Sequence, residues 1–153
     1  MKQLLDLLIK NNLTIGSVES MTGGLFASNL ASIPGASKAY KGSIVSYSVK
    51  VKEELLGIEH NLIQEYGVVS EEVALEMAKR GQKLLDVDVC VSVTGNAGPT
   101  AEPGEEGVGI VYISVANEDK IMVKRLHLDG DRNEIRQKTV LSMKELVIDS
   151  LKK

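Results

Sequence analysis

VDVCVSVT, residues 87–94, is an almost unbroken run of β-branched and small residues. Successive side chains of a strand point to opposite faces of the sheet, so apolar residues at both parities indicate a strand that is buried on both sides. The run therefore predicts a central strand covered by helices. It contains Cys90, the only cysteine of the chain, which excludes an internal disulfide and favours a buried core thiol.

Helix and strand patterns alternate on either side of this run. Three helices are predicted, near 2–11 and over 25–32 and 49–57. A fourth is predicted to begin after a cap at Ser70, and a fifth at Asp131, which forms a capping box with Glu134. The buried stripe predicted for the helix after Ser70 is Val73, Ala74, Met77, Ala78, Leu84 and Leu85. The other predicted strands are 13–18, 41–48 and a hairpin of 108–116 with 120–128. This order predicts an α/β fold: one three-layer α/β/α domain over 1–153 with a mixed, mostly parallel sheet.

Composition narrows the class of protein. The 153 residues, 43% of them hydrophobic, suit one globular domain with a substantial core. The net charge is −3 and the basic residues are scattered, so we expect no nucleic-acid partner. Residues 1–10 contain Asp6, unlike a signal peptide, and no apolar run is long enough for a bilayer. We therefore expect a cytoplasmic protein with no membrane partner.

Three polar or glycine-rich stretches follow predicted strands, at 19–24, 47–52 and 94–99. Ligands of open α/β sheets gather outside the carboxyl ends of the strands, so these stretches are expected to meet at one site. The first reads ESMTGG, where paired glycines and a helix start offer main-chain N–H groups to a phosphate or an oxyanion. The structural alternative is that Ser20 or Thr22 only caps the helix.

The second and third stretches also allow two interpretations. A serine becomes a nucleophile only beside a base, and Lys50 or Lys52 serves if its ammonium loses its proton on burial. Tyr47 would then orient the lysine or relay a proton; otherwise the lysines lie on the surface and the tyrosine in the core. The small residues of 94–99 leave room for the flat part of a ligand or for another loop.

Two arginines begin the last predicted helix. Arg132 and Arg136 stand one turn apart, where they would grip a phosphate or instead pair with Asp131 or Glu134 on a solvated face. The two histidines stand in unrelated contexts, so neither a Ser-His-Asp triad nor a metal site is expected.

Seven motifs in order resemble the CinA C-terminal family, also called nicotinamide-nucleotide amidohydrolases. They are SMTGG (20–24), IPGAS (33–37), VSYS (45–48) with Lys52, GVVSEEVALEMA (67–78), TGNAGP (94–99), VGIVYI (108–113) and GDRNEIR (130–136). The resemblance covers residues from about 4 to about 150.

This resemblance implies a deamidase that converts nicotinamide mononucleotide to nicotinate mononucleotide and ammonia in pyridine nucleotide salvage. It implies no metal or other cofactor, a small-molecule nucleotide substrate and a homo-oligomer. Ser20 matches the nucleophile, Lys52 its base and Tyr47 the accompanying tyrosine. The residues implied to bind substrate are Glu19, Thr22, Gly23, Gly24, Thr94, Gly95, Ala97, Gly98, Arg132 and Arg136.

The chain departs from the family pattern around the implied substrate pocket. Met21 replaces a usual cysteine, 49–51 replace Asn-Glu-Ala, Asn96 replaces an aliphatic residue, and 100–107 lack the usual glycine pair and Lys-Pro. Two other hypotheses therefore stand beside the deamidase: a catalytically weak nucleotide-binding regulatory module, and an amidase for another small amide.

Overall fold

The computed structural model describes residues 1–101, 103, 105–118 and 120–152. Helices and strands alternate along them, with a short 3₁₀ turn at Ala36–Lys38. The helices are α1 (Lys2–Lys10), α2 (Leu25–Ala31), α3 (Val49–Glu54), α4 (His60–Tyr66), α5 (Glu71–Leu85) and α6 (Arg132–Ser150). The strands are β1 (Ile15–Glu19), β2 (Tyr40–Val45), β3 (Val89–Gly95), β4 (Ile110–Asn117) and β5 (Lys120–His127).

The strands form one mixed sheet in the order β2-β1-β3-β4-β5. β1 pairs in parallel with both β2 and β3, whereas β4 pairs antiparallel with β3 and β5. Within the described residues, β4 is therefore the one strand that runs against the others. The predicted α/β class and mixed sheet are confirmed, and the run that contains Cys90 is the central strand.

Helices cover both faces of the sheet and give three layers. On one face, Leu8 of α1, Phe26 of α2 and Met143 of α6 pack in one cluster with Val91 of β3. On the other face, the core of α5 packs against β1 and against Cys90. Burial raises the pKa of the Cys90 thiol to about 12, which keeps it protonated as the predicted core thiol.

The helix starts follow the predicted caps. Ser70 accepts a hydrogen bond from the N–H of Val73 at 3.3 Å at the start of α5. At the start of α6, Asp131 accepts from the N–H of Glu134 at 2.9 Å, and the Glu134 carboxylate accepts from the N–H of Asp131 at 3.1 Å. The predicted capping box is thus present.

The structure differs from the sequence-based prediction at three points. Helix α4 was not predicted, and the strand expected over 41–48 ends at Val45. Leu84, expected in the buried stripe of α5, is 55% exposed. Leu85 takes the position over the sheet, next to Gly16, and its neighbour about 100° around the helix turns to solvent.

Close packing of α5 on the sheet predicts the effect of Gly81→Ala. The added Cβ would lie 2.2 Å from Cγ2 of Val18 and 2.9 Å from Sγ of Cys90. Overpacking of this kind costs about 1–3 kcal/mol, against about 1 kcal/mol gained from the helix propensity of alanine. We expect urea unfolding to show a lower free energy of unfolding. The control is Lys79→Ala at an exposed position of α5, and equal stability of the two variants would contradict the packing argument.

Candidate active site

The carboxyl ends of the parallel strands β1, β2 and β3 meet at one edge of the sheet, as the sequence predicts. The segments that leave them, together with the start of α6, surround a cavity of about 270 Å³. Its lining residues are Met21, Tyr47, residues 95–100, Glu105 and Arg132. Every one of the three predicted stretches therefore contributes to this site.

Ser20, which directly precedes the lining residue Met21, is in direct contact with Lys52, and neither of the two is itself a lining residue of the cavity. Nζ of Lys52 donates a hydrogen bond to Oγ of Ser20 at 2.9 Å. The lysine is fully buried and the serine is 8% exposed. Lys50, the other lysine that the sequence left open, is exposed on α3. The structure thus brings together the two residues to which the sequence resemblance assigns nucleophile and base.

The surroundings of Lys52 are polar but uncharged. Its Nζ also donates to the main-chain carbonyl oxygens of Ser46 at 2.6 Å and Tyr47 at 3.3 Å. No ion pair within the described residues includes Lys52. Because burial disfavours the charged amine and no carboxylate compensates, desolvation lowers the pKa of Lys52 to about 8.

The three acceptors around Nζ suit both protonation states of Lys52. An ammonium donates to all three oxygens. A neutral amine keeps two N–H bonds for the carbonyl oxygens of Ser46 and Tyr47 and directs its lone pair at the hydroxyl of Ser20. In that state it can accept the serine proton.

The structure corrects the role expected for Glu19. Its side chain is fully buried, and both oxygens accept hydrogen bonds from this chain. Oε1 accepts from Oγ1 of Thr22 at 2.8 Å and from the N–H of Phe26 at 3.0 Å; Oε2 accepts from Ser17 at 3.0 Å and from the N–H of Ala27 at 3.1 Å. Glu19 therefore caps α2 from the end of β1 and has no free position for a substrate.

Two threonines expected at the substrate also turn their hydroxyls into the protein. Oγ1 of Thr22 donates to the carboxylate of Glu19, and Oγ1 of Thr94 donates to the carbonyl of Val68 at 2.9 Å. The sequence-based alternative that Ser20 or Thr22 caps α2 is also wrong, because the N-cap residue is Gly24 and the capping oxygens belong to Glu19.

The glycine pair shapes the turn that follows Ser20. Gly23 and Gly24 have φ values of +59° and +97°, which favour glycine at both positions. No main-chain acceptor in the described part of the chain takes a hydrogen bond from the N–H groups of Met21, Thr22 or Gly24. These groups are potential donors to an anionic oxygen near Ser20.

The two arginines of α6 have different surroundings. Arg132 lines the cavity and donates to the carbonyl of Gly98 and, at 2.9 Å, to the hydroxyl of Tyr47. Arg136 donates to the carbonyls of Met21 at 3.1 Å and Thr22 at 2.8 Å, so it holds the turn. The carbonyl of Tyr47 accepts a hydrogen bond from Lys52, and the residue as a whole is 57% exposed.

The loop after β3 makes side-chain contacts that the sequence did not reveal. Asn96 donates from Nδ2 to Glu105 at 2.7 Å, and Glu105 lines the cavity. Glu106 accepts from the hydroxyl of Tyr112 and from Arg125, at 2.7 Å from Nη2, and these hydrogen bonds lower its pKa. The partners lie on β4 and β5, so no local sequence pattern marks the contact.

The described residues hold neither a metal site nor a membrane-spanning helix. They contain no group of three or more histidine, cysteine or acidic side chains placed to hold a metal ion. None of the helices in this part of the chain has the length and apolar character needed to cross a membrane.

The chain belongs to the CinA C-terminal domain family, whose sequence description matches residues 1–151. A relative from Thermoanaerobacter pseudethanolicus, named as competence-damage inducible, is 44% identical over 144 residues, which are 94% of this chain and 35% of the relative. A CinA-like protein from Kosmotoga olearia is 41% identical over 90% of this chain and 34% of its own length. The chain thus spans about a third of these relatives.

Solved structures show the same fold. A competence/damage inducible protein from Agrobacterium tumefaciens superposes with a TM-score of 0.90 at 30% identity, covering 98% of this chain and 94% of that one. A CinA superfamily protein from Klebsiella pneumoniae has a TM-score of 0.95 at 22% identity, covering 97% and 93%. The fold expected from the resemblance is therefore confirmed.

The buried carboxylate predicts that Glu19→Gln destabilises the protein. The amide nitrogen of glutamine cannot accept hydrogen bonds, so part of the set of donors from Ser17, Thr22 and α2 is left unsatisfied in the core. An unsatisfied buried donor costs about 1–3 kcal/mol, and we expect a loss of this size in urea unfolding. Glu145→Gln, at an exposed position of α6, is the matched control. A similar small effect in both variants would show that Glu19 does not anchor α2.

Proposed function

We propose that this chain is an amidohydrolase that removes the carboxamide nitrogen of nicotinamide mononucleotide, with Ser20 as nucleophile and Lys52 as general base. The observation that carries the proposal is the 2.9 Å contact between Nζ of Lys52 and Oγ of Ser20, in a buried setting where no carboxylate of the described residues pairs with the lysine. The seven motifs of the sequence resemblance support nicotinamide mononucleotide as the substrate.

In the first step, neutral Lys52 takes the proton of Ser20 while the serine oxygen bonds to the carboxamide carbon. The carbonyl oxygen of the substrate becomes an oxyanion, and unpartnered N–H groups in the turn after Ser20 are available to stabilise it. Collapse of this intermediate breaks the carbon–nitrogen bond. The leaving nitrogen takes the proton from Lys52 and departs as ammonia.

The second step releases the acyl group from Ser20. A water molecule attacks the ester carbon, and Lys52 accepts the proton that the water loses. The ester bond breaks, Lys52 returns the proton to Ser20, and nicotinate mononucleotide is released. The same lysine thus serves as base and as acid in both steps, which requires a pKa near the working pH.

Arg132 is the group that we assign to the nucleotide phosphate. It lies in the wall of the cavity, and guanidinium groups bind phosphate through paired N–H donors. Arg136 supports the reaction indirectly, because it fixes the carbonyls of the turn that contains Met21 and Thr22. We place the reaction in cytoplasmic pyridine nucleotide salvage and expect the chain to act as a homo-oligomer.

Ammonia release from nicotinamide mononucleotide tests the nucleophile. We expect steady turnover by the unaltered protein and a loss of at least about a thousandfold in Ser20→Ala, because the residual rate comes from binding and the oxyanion donors alone. Ser28→Ala removes an exposed hydroxyl from α2 and is expected to keep full activity.

Other outcomes of this assay favour other functions. Saturable nucleotide binding without ammonia release favours the regulatory binding module, for which the altered loop 100–107 is the reason. Release of ammonia from a different small amide, lost in Ser20→Ala, favours an amidase of other specificity. Full activity in Ser20→Ala refutes the assignment of the nucleophile.

The lowered pKa of Lys52 predicts the pH dependence of the reaction. A base acts in its deprotonated form, so kcat/KM should rise about tenfold per pH unit in acid and neutral solution and level off above a pKa of about 8. The measurement is kcat/KM for ammonia release at pH values from about 5 to about 10. A rate that keeps rising through the ordinary pKa of lysine, or one flat from acid to neutral pH, contradicts a buried Lys52 as base.

A further inference from the structure

The cavity beside Ser20 carries one side chain of each charge. Arg132 and Glu105 both line it, and the described residues contain no ion pair that involves either of them. The two charges are therefore kept apart in the same wall. A cavity built in this way suits a ligand that carries both a negative and a positive group.

The carboxylate of Glu105 is held in place by its neighbours. Asn96 donates to it at 2.7 Å, and the side-chain oxygen of Asn96 accepts from the N–H of Gly98 at 2.8 Å. The backbone of the cavity wall thus fixes the side chain of Asn96, and Asn96 in turn orients the carboxylate of Glu105. The hydrogen bond leaves other lone pairs of Glu105 for a ligand.

The next residue fixes the loop from outside. Glu106 accepts hydrogen bonds from Tyr112 on β4 and from Nε and Nη2 of Arg125 on β5, at 3.1 and 2.7 Å for the arginine. The two consecutive carboxylates therefore have different surroundings: Glu106 binds the hairpin, and Glu105 lines the cavity. Since the hairpin is part of the sheet, the contact of Glu106 ties the loop next to Glu105 to the sheet.

We propose that Glu105 selects substrates whose ring carries a positive charge. The proposal rests on the proposed function, and it names the substrate class of that site: an N-ribosyl pyridinium carboxamide with a phosphate. In such a molecule the pyridinium is a cation and the phosphate an anion. Arg132 takes the phosphate and Glu105 faces the ring. The dihydropyridine form has the same carboxamide, ribose and phosphate but an uncharged ring, so it loses the contact with Glu105.

The experiment compares binding of oxidised and reduced nicotinamide mononucleotide by isothermal titration calorimetry, in the Ser20→Ala background to prevent turnover. A charge pair at a partly exposed site contributes up to about fivefold in affinity, so we expect the oxidised nucleotide to bind more tightly than the reduced one by a factor of up to about five. Adding Glu105→Gln should abolish this preference, because it weakens the binding of the oxidised nucleotide and leaves the binding of the reduced one unchanged. The control adds Glu65→Gln instead, which makes the same charge change at an exposed position of α4. We expect this variant to keep the preference for the oxidised nucleotide.

Three results would overturn the inference: equal binding of both nucleotides, a preference unchanged by Glu105→Gln, or no binding of either nucleotide. Ammonia release by the unaltered protein tests the reaction separately. A protein that releases no ammonia but shows a preference dependent on Glu105 refutes the hydrolase and supports the role of this residue. A protein that releases ammonia without such a preference refutes the role of Glu105 only.

Discussion

The carboxylate of Glu19 joins the end of β1 to the start of α2, and the placement of Ser20 depends on this attachment. Helix α2 has only seven residues, a length at which an isolated helix is unstable in water. Two hydrogen bonds from its first turn to Glu19, at 3.0 and 3.1 Å, fix it to the sheet. Ser20 follows Glu19 directly, so the anchor and the proposed nucleophile share one stretch of backbone. The turn of main-chain N–H groups after it is held between a rigid strand and a rigid helix.

Glu19 and Lys52 are both fully buried, and their surroundings differ. Glu19 receives four hydrogen bonds, two of them from the N–H groups of a helix start, where negative charge is favoured. Lys52 donates its hydrogen bonds to oxygens of neutral groups only. These bonds do not compensate for the loss of water around the ammonium, so the pKa of Lys52 falls to about 8. A carboxylate beside Lys52 would stabilise the ammonium and weaken it as a base. The absence of such a partner from the described residues suits a group that must lose its proton.

The sequence predicts features that depend on local pattern and misses those that depend on distant partners. The central strand follows from apolar residues at both parities, and the start of α6 follows from its capping box. Between Lys50 and Lys52 the residues alone gave no choice, because six residues of α3 are too few for a periodic pattern. Leu84 was misplaced since the pattern does not show where the helix turns away from the sheet. The roles of Glu19 and Glu106 depend on main-chain groups of a helix and on side chains across a hairpin, which no spacing rule reveals.

The contact of Glu106 with the hairpin β4–β5 has an evolutionary consequence. Ser20 and Lys52 stand on the parallel side of the sheet, at the end of β1 and in α3, whereas the loop after β3 is attached to the antiparallel side. Mutations accumulating in that loop can alter the lining of the cavity while Ser20 and Lys52 keep their contact. A fold divided in this way lets descendants of one ancestor change one wall of the cavity while the serine–lysine pair is retained.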